Sequence, residues 1–463
     1  MVPPQKELHR VNLLANDRVR AVLRHPALSL SLLWMTTAFV LLVGALTALG
    51  ALMPVGHPLQ DKNLNPGMWL TWHVWFAVLP FSALLIGRIW CAVCPIAFIA
   101  DLFGKVARLN LPVPKFVKRL DFWLLLATFV VVDSTEGLTG VADSPLGTAV
   151  FLVLIVGAAV AVTFVFERRT FCRYLCPLSG WLGTYATVSI FEVRGNKRVC
   201  QTRCGDYSCY KGTERVPGCP MFLYPASMTT NAECMMCGNC IKSCENRGVQ
   251  LNLRPPLQEL WQNTKPTVAL GLFSIVICGV MLLHQFGKLA WWKAMELAFP
   301  LPPLLGELGA YALFVGFTVT GFLLASVLSS AAGREGLPAN LARFGLGFVP
   351  MALAGHLSYV TQKFLSKGVG VISSWFVMLY WSLVRGVPFG SEAVAQPLAA
   401  APPVVTLVKF QILSLGILGS VIAIVKIARG GGEGGSLGRA LPHLLYLLLL
   451  SALFLYAYLS VGS

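Results

Sequence analysis

Charge is what this chain lacks most. Only 12% of its 463 residues are charged, and Asp and Glu together number 20, against roughly 25% charged residues in an ordinary soluble domain. That composition excludes a typical water-soluble globule. Phosphate-binding signatures are missing too: there is no G-x-x-x-x-G-K-[ST] loop and no G-x-G-x-x-G following a strand. The run "RGGGEGG" (429–435) has no strand before it and no helix start after it, so it is a flexible loop. Direct use of ATP or a nicotinamide is therefore not expected. The net charge of +16 comes from 36 Lys and Arg that fall in clusters. No basic stripe interleaves with aromatics, so nucleic acid is not an expected partner. The opening "MVPPQKELHRVNLLANDRVRAVLRHP" lacks the layout of a cleavable signal peptide.

What is present is apolar sequence, 56% of the chain. Uncharged stretches reach the roughly 20 residues that a bilayer crossing needs. Spans are predicted at 27–53, 69–89, 116–132, 146–166, 267–284, 304–328, 344–364, 404–427 and 441–461. The stretch "VGVISSWFVMLYWSLVR" (369–385) would make a tenth, but the charge bias reads it as interfacial or re-entrant. Arg18, Arg20 and Arg24 precede the first span, Lys105 to Arg119 precede the third, and Glu167-Arg168-Arg169 end the fourth. The loop after the third span is acidic, with Asp133, Glu136 and Asp143. Positive charge stays on the cytoplasmic side. The N-terminus, the 97–119 loop and everything from Arg168 to the next span are therefore expected in the cytoplasm, and the protein in the inner membrane. The predicted spans hold few charges and no paired acid–base relay, which argues against a redox-gated transporter.

Twelve of the 13 cysteines lie between Cys91 and Cys244, and Cys278 stands alone in an apolar run. Residues 195–262 contain the densest group. Cys234, Cys237, Cys240 and Cys244 are spaced C-x2-C-x2-C-x3-C. In ferredoxins with two four-iron clusters, the fourth cysteine of such a run serves the other cluster. The partner group is Cys200, Cys204 and Cys209, followed by Cys219-Pro220. Crossing the fourth ligands predicts one [4Fe-4S] cluster on Cys200, Cys204, Cys209 and Cys244, and another on Cys219, Cys234, Cys237 and Cys240. An uncrossed set, with Cys219 joining Cys200, Cys204 and Cys209, is the alternative. Zinc is disfavoured, because it prefers two C-x2-C knuckles a dozen or more residues apart. Lys197, Arg198, Arg203, Lys211 and Arg215 border the first group and could dock an acidic partner.

Two further pairs sit at helix ends: "GRIWCAVCP" (87–95) and "RRTFCRYLCP" (168–177). Cys91, Cys94, Cys172 and Cys176 are expected at the cytoplasmic membrane surface. They could surround a further metal centre, for which iron–sulfur, copper(I) and zinc all suit soft thiolates, or form a redox thiol site. With the ferredoxin module that follows, these motifs resemble the membrane-bound polyferredoxins. That family includes the quinol-dehydrogenase-type subunits of periplasmic nitrate reductase and nitrous-oxide reductase systems. The resemblance covers roughly residues 28–250. The family spaces both pairs C-x3-C-P; Cys172 and Cys176 match, whereas Cys91 and Cys94 are one residue closer. The resemblance implies electron transfer linked to the quinone pool, as a subunit of an oxidoreductase within a multi-subunit complex.

Histidines within spans are candidates for a cofactor at membrane depth. His356 lies mid-helix, and His284 and His73 lie near outer helix ends. Two of them could ligate haem b, or one could hydrogen-bond a quinone. His57 and His443 read as interfacial, and Trp291-Trp292 as an aromatic belt.

The expected fold is mainly α, polytopic, with about nine spans and a cytoplasmic dicluster insert. It divides into a cytoplasmic N-terminal segment (1–26), a four-helix membrane domain (27–194), the insert (195–262) and a C-terminal membrane domain (263–463). The expected function is membrane-bound iron–sulfur electron transfer between the quinone pool, or an outer-face partner, and a cytoplasmic or complex-bound partner. The rival is a copper reductase or maturation factor for a respiratory metalloenzyme.

Overall fold

Long uncharged runs with a polar residue at their start become the main helices. The computed structural model describes residues 10–53, 60, 62, 65–333, 335–368, 380, 383–384, 402–430 and 437–460. His57, most of the 369–385 stretch and residues 431–436 of the glycine loop lie outside the described residues. Strand β1 (Val11–Asn12) and helix α1 (Asp17–Arg24) precede the first long helix, α2 (Pro26–Leu52). Helix α3 (Pro66–Ile86) starts where the Asn65 side chain accepts from Met68 N and Pro66 occupies the first turn, a position where its missing N–H is not needed. After it come α4 (Pro95–Val106), α5 (Phe122–Thr139), α6 (Pro145–Val165, capped by Ser144) and α7 (Pro177–Ala186).

The cysteine-rich insert follows, framed by strands β2 (Phe191–Gly195) and β3 (Val249–Leu253). The C-terminal bundle comprises α8 (Val268–Phe286, capped by Thr267), α9 (Pro303–Gly333), α10 (Leu337–Leu346), α11 (Val349–Lys363), α12 (Pro402–Ala428) and α13 (Leu441–Ser460).

Among the described residues, nine helices are long and apolar enough to cross a membrane. A tenth is the pair Leu337–Leu346 and Val349–Ser366, bent by 42°. Their outer surfaces carry large apolar side chains, among them Met35, Leu41, Val153, Leu154, Leu328 and Leu448, all more than half exposed. An exterior of that kind suits lipid, where no hydrogen bonds are offered.

Three sequence expectations change. Residues 97–106 are helix, not loop. The segment Ile89–Val106 has the length and hydropathy of a span, yet it enters and leaves on one face. Arg88 at its start donates to Ala232 O of the insert, 2.8 Å. Beyond its end, Leu109 and Leu111 donate to Phe164 and Val165 at the end of α6, beside Glu167. Between these points it dips into the bundle, where Val93 O accepts from Thr36 Oγ1 at 2.7 Å. Thr36 lies ten residues into α2, roughly 15 Å along a helix of about 40 Å. The turn that starts the dip is Gly87, with φ 69°, a conformation that glycine adopts without penalty.

The third predicted span is also displaced. Asp121, at φ 32°, separates a basic turn (Lys115–Leu120) from α5, which extends to Thr139. Asp133 and Glu136 thus belong to the helix instead of a loop, and Asp133 finds Tyr311 and His284 on neighbouring helices. The seventh predicted span, 344–364, starts inside α10 and crosses the break at Gly347 and Phe348.

The N-terminal segment is not separate from the insert. β1 and β2 both pair antiparallel with β3, in the order β1-β3-β2. Leu14 packs with Val193, Cys209, Ile241 and Val249 in the insert's core. The insert's base is therefore built from residues 10–24 and 191–253. A buried ionic net fastens it to the bundle. Glu192 and Glu259 share Arg194 and Arg254, and Arg254 also donates to Ala186 O, Thr187 O and Ser189 O at the end of α7. Each buried charge has opposite partners, as burial requires.

Candidate functional site

Tight left-handed turns wrap the insert around two recesses. Met236 and Gly238 have φ of 55° and 76°, so the chain curls between Cys234 and Cys240. Tyr207 (φ 55°) starts the short helix of Cys209, and Arg247 (φ 53°) turns the chain after Cys244. The helices Ser208–Lys211 and Asn239–Ser243 are tied by Ser208 Oγ donating to Ser243 O, 2.9 Å.

One recess, about 350 Å³, is lined by Cys200, Cys204, Cys209 and Cys244. The other, about 390 Å³, is lined by Cys219, Cys234, Cys237 and Cys240 together with Met221, Met235 and Met236. Cys219 does not line the recess of Cys200, Cys204 and Cys209. Backbone N–H groups point at two of the sulfurs, Gly248 to Cys244 Sγ at 3.2 Å and Leu223 to Cys219 Sγ at 3.3 Å. A Cβ on Gly248 would sit 3.1 Å from Cys200 Sγ. Burial, with Cys244 and Cys204 nearby, pushes the Cys209 thiol up to about 12. Burial likewise pushes Cys234 up to about 12. Such thiols deprotonate when a cation is there to receive the thiolate.

All thirteen cysteines are free. Among the described residues, no three His, Cys, Asp or Glu side chains converge to hold a single metal ion. A zinc–sulfur bond of about 2.3 Å would require that convergence. Each recess instead has four thiols along its walls.

The helix-end pairs meet inside the bundle, below the surface where the sequence placed them. Cys94 lines an apolar recess with Phe39, Val40 and Val43, midway along α2. The second pair is carried by a matching dip: Arg169 (φ 61°) turns the chain, a short helix Thr170–Tyr174 bears Cys172, and Cys176-Pro177 starts α7. Cys91, Cys94, Cys172 and Cys176 lie within electrostatic reach of one another. Buried Arg88 joins the two dips by donating to Ser179 Oγ, whose hydroxyl donates to Cys172 O.

Arg169 stands between this group and the insert. It pairs with Asp101 at 2.8 Å, and both Cys172 and Cys237 are within its electrostatic reach. Cys240 and Cys209 are likewise coupled across the two insert recesses. The three cysteine groups therefore follow one another, from the helix-end group through Cys237 and Cys240 to Cys209.

The histidines occupy three settings. His356 is buried, with Nδ1 3.0 Å from Tyr185 Oη and its ring 5.0 Å from that of Trp181. His284 has Nε2 3.4 Å from Asp133 Oδ2, and its ring stacks on Tyr359. His73 lines an open recess of about 930 Å³ with Trp72, Asp143, Lys288, Gln362 and Lys363. His443 is buried and not interfacial: it stacks on Phe344 and its Nε2 lies 3.1 Å from Asn340 Oδ1. The sequence reading missed Asp133 and Tyr311. Tyr311 donates to Asp133, and no local spacing links residues so far apart.

Similarity to known iron–sulfur proteins falls on the bundle itself. A family described as a 4Fe-4S binding domain matches residues 68–114 and 148–180, the two blocks that hold the helix-end cysteines. YccM of Escherichia coli strain K12, named provisionally as an electron transport protein, is 29% identical over 138 residues, 29% of this chain and 35% of that protein. Two uncharacterized proteins of Methanocaldococcus jannaschii also align. MJ0750 is 23% identical over 36% of this chain and 73% of its own length, and MJ0749 is 26% identical over 35% and 63%. The alignment thus spans about a third of YccM. No solved structure matches. These similarities support an iron–sulfur protein with an electron-transfer role.

Proposed function

We propose that this chain is a membrane-embedded electron relay with three four-cysteine iron–sulfur sites in line. The helix-end site (Cys91, Cys94, Cys172, Cys176) lies in the bundle. The second site (Cys219, Cys234, Cys237, Cys240) lies at the bundle surface, and the first (Cys200, Cys204, Cys209, Cys244) furthest out. The observation that carries the reading is their succession, with Arg169 between the helix-end thiols and Cys237. A [4Fe-4S] cluster, when bound, takes up and releases one electron. The protein's own contribution is spacing, N–H groups aimed at sulfur, and buried cations that favour the added charge.

The insert would face the cytoplasm, since basic residues gather on its side. Exposed Lys197, Arg198, Arg203, Lys211 and Arg215 border the first site and suit an acidic redox partner. On the opposite face, the recess with His73 and Trp72 suits a quinone head group. From it, packed rings run Trp72, Phe76, Trp75 and Trp90 to Cys91, with successive centroids 5.1, 5.4 and 5.7 Å apart. We read His356 and His284 as hydrogen-bonding groups, since each faces a phenol or a carboxylate through one ring nitrogen. The copper-reductase reading has less support, since the family matched by the blocks that hold Cys91, Cys94, Cys172 and Cys176 is described as 4Fe-4S binding.

The test is the cofactor content of anaerobically purified protein. About twelve irons and twelve sulfides per chain, matching three cubanes, and the appearance of paramagnetic signals when a quinol supplies electrons, are expected. Replacing Cys91 and Cys172 by Ala should remove about four irons and leave the insert signals. Little iron in intact protein would sink the reading.

A further inference from the structure

Charged and phenolic side chains gather inside the C-terminal bundle, away from every cysteine site. Asp133 on α5 meets His284 on α8 at 3.4 Å and accepts from Tyr311 on α9. His284 stacks on Tyr359 of α11, with centroids 4.9 Å apart, and Lys363 lies 4.5 Å from the same Tyr359 ring. Lys363 in turn lines the open recess on the face away from the insert. Along α11, His356, Tyr359 and Lys363 are three and four residues apart, which places them on one helix face. At the lower end of that row, His356 Nδ1 is 3.0 Å from Tyr185 Oη. Tyr185 belongs to α7, which begins directly after Cys176. Trp181, packed on His356, stands five residues beyond Cys176, about 7.5 Å along the axis.

We propose that this row is a proton path. It connects the recess on the far face, through Lys363, Tyr359, His284 and Asp133, with His356 and Tyr185 behind the helix-end cysteines. The inference rests on the electron-relay reading. An electron added to a site in a low-dielectric interior is costly unless charge nearby compensates it. One electron entering the helix-end site from the donor, and one proton entering from far-face water to the His356 imidazole, leave the net charge of the region unchanged. When the electron moves on to the insert, the proton returns by the same groups. The polar insertion in the bundle then has a purpose: intramembrane ionisable residues are expensive and persist where they act. His284 Nδ1 is buried and has no hydrogen-bond partner among the described residues, so the ring keeps one nitrogen open for transfer.

Several other groups face the row. Glu136 lies one turn from Asp133 on α5, and Glu307 on α9 lies against Gly137 of α5. Lys288 beyond α8 sits 4.6 Å from the Tyr359 ring and bonds Gln362. Lys409 on α12 bonds Gln362 from the other side and lies over Tyr458 of α13. Cys278 on α8 faces Tyr185. These groups set the charge around the path, and none of them is a cysteine of the three sites.

The experiment is potentiometric titration, followed by paramagnetic signals, of the full-length protein in detergent at pH 6, 7 and 8. In the native chain the helix-end potential should fall by one proton per electron as pH rises, while both insert potentials stay level. His356→Gln, which removes the group that takes up the proton, should flatten that slope. Asp133→Asn, which interrupts the path, should leave the equilibrium slope and slow the response of the helix-end signal to a pH jump. Intact insert signals report correct folding. A pH-independent helix-end potential in the native chain overturns the path, as does a slope unchanged in His356→Gln or a pH-jump response unchanged in Asp133→Asn. Absence of any iron–sulfur signal would defeat the relay itself, and the path with it.

Discussion

Arg88, at the end of α3, donates to the carbonyl of Ala232, 144 residues further on, at 2.8 Å. The same guanidinium holds Ser179, so one buried cation ties the first dip, the second dip and the insert together. Arg88→Ala leaves the Ala232 carbonyl without its donor. Loss of about 1.5–3 kcal/mol is expected for a bond to a charged group. Thermal unfolding in detergent should show the drop, and limited proteolysis should cut the insert sooner. Unchanged values on both counts would mean that the sheet and ionic net suffice.

The crossed membership of the two recesses separates the roles of Cys219 and Cys244. Cys219→Ser should weaken or abolish the signal of the second site and spare the first. Cys244→Ser should do the reverse, although it follows Cys240 by only four residues. Each change should remove about four irons from the chain. Loss of the same signal in both variants would indicate another grouping.

Helices α8 and α10 touch at two glycines. A Cβ on Gly345 would lie 2.5 Å from Gly271 Cα, and one on Gly271 would lie 2.7 Å from Leu341 O. Backbone cannot yield as a side chain can. Gly345→Ala should therefore destabilise the protein by about 1–3 kcal/mol, where an ordinary helical Gly→Ala change would stabilise it. The sign of the shift in unfolding temperature decides the matter.

Asp121, at the hinge before α5, titrates unusually. Burial, with Glu233 beside it, raises its carboxyl to about 6 from 3.8. The folded state holds the proton more tightly than the unfolded chain. Its stabilising contribution is complete below pH 4 or so and is lost as pH rises through about 6. Asp121→Asn should leave stability at pH 4 nearly unchanged and raise it at pH 8 by on the order of 2 kcal/mol. Unfolding midpoints at the two pH values provide the check, and equal shifts at both would refute it.

Much of this architecture is legible in the chain because its signals are local. Apolar runs locate most of the long helices. The C-x2-C-x2-C-x3-C spacing leads to the expectation that Cys219 joins a group that it precedes, and Cys219 lines one recess with Cys234, Cys237 and Cys240. What escapes a linear reading depends on partners distant in sequence. Asp133 resembles a loop charge until Tyr311 and His284 are brought against it. The bundle's polar row, which the sequence seemed to exclude, exists only in three dimensions. The dip at Gly87 is equally hidden, since a re-entrant apolar segment and a crossing one have the same composition. His443 carries no mark of burial apart from Asn340 and Phe344, both about a hundred residues away.

The pairing of β1 with β3 has a consequence for how the protein is made. Val11 must wait for Leu253, so the ribosome delivers four long helices and the twelve cysteines from Cys91 to Cys244 before the first strand can find its place. Until then Leu14 leaves one side of the insert's core uncovered, next to Cys209. On the electron-relay reading, that interval, between synthesis of Cys244 and the arrival of the N-terminal strand, would be the window for metal loading. A chain whose closing piece comes from its own beginning is sealed only after its contents can have been installed.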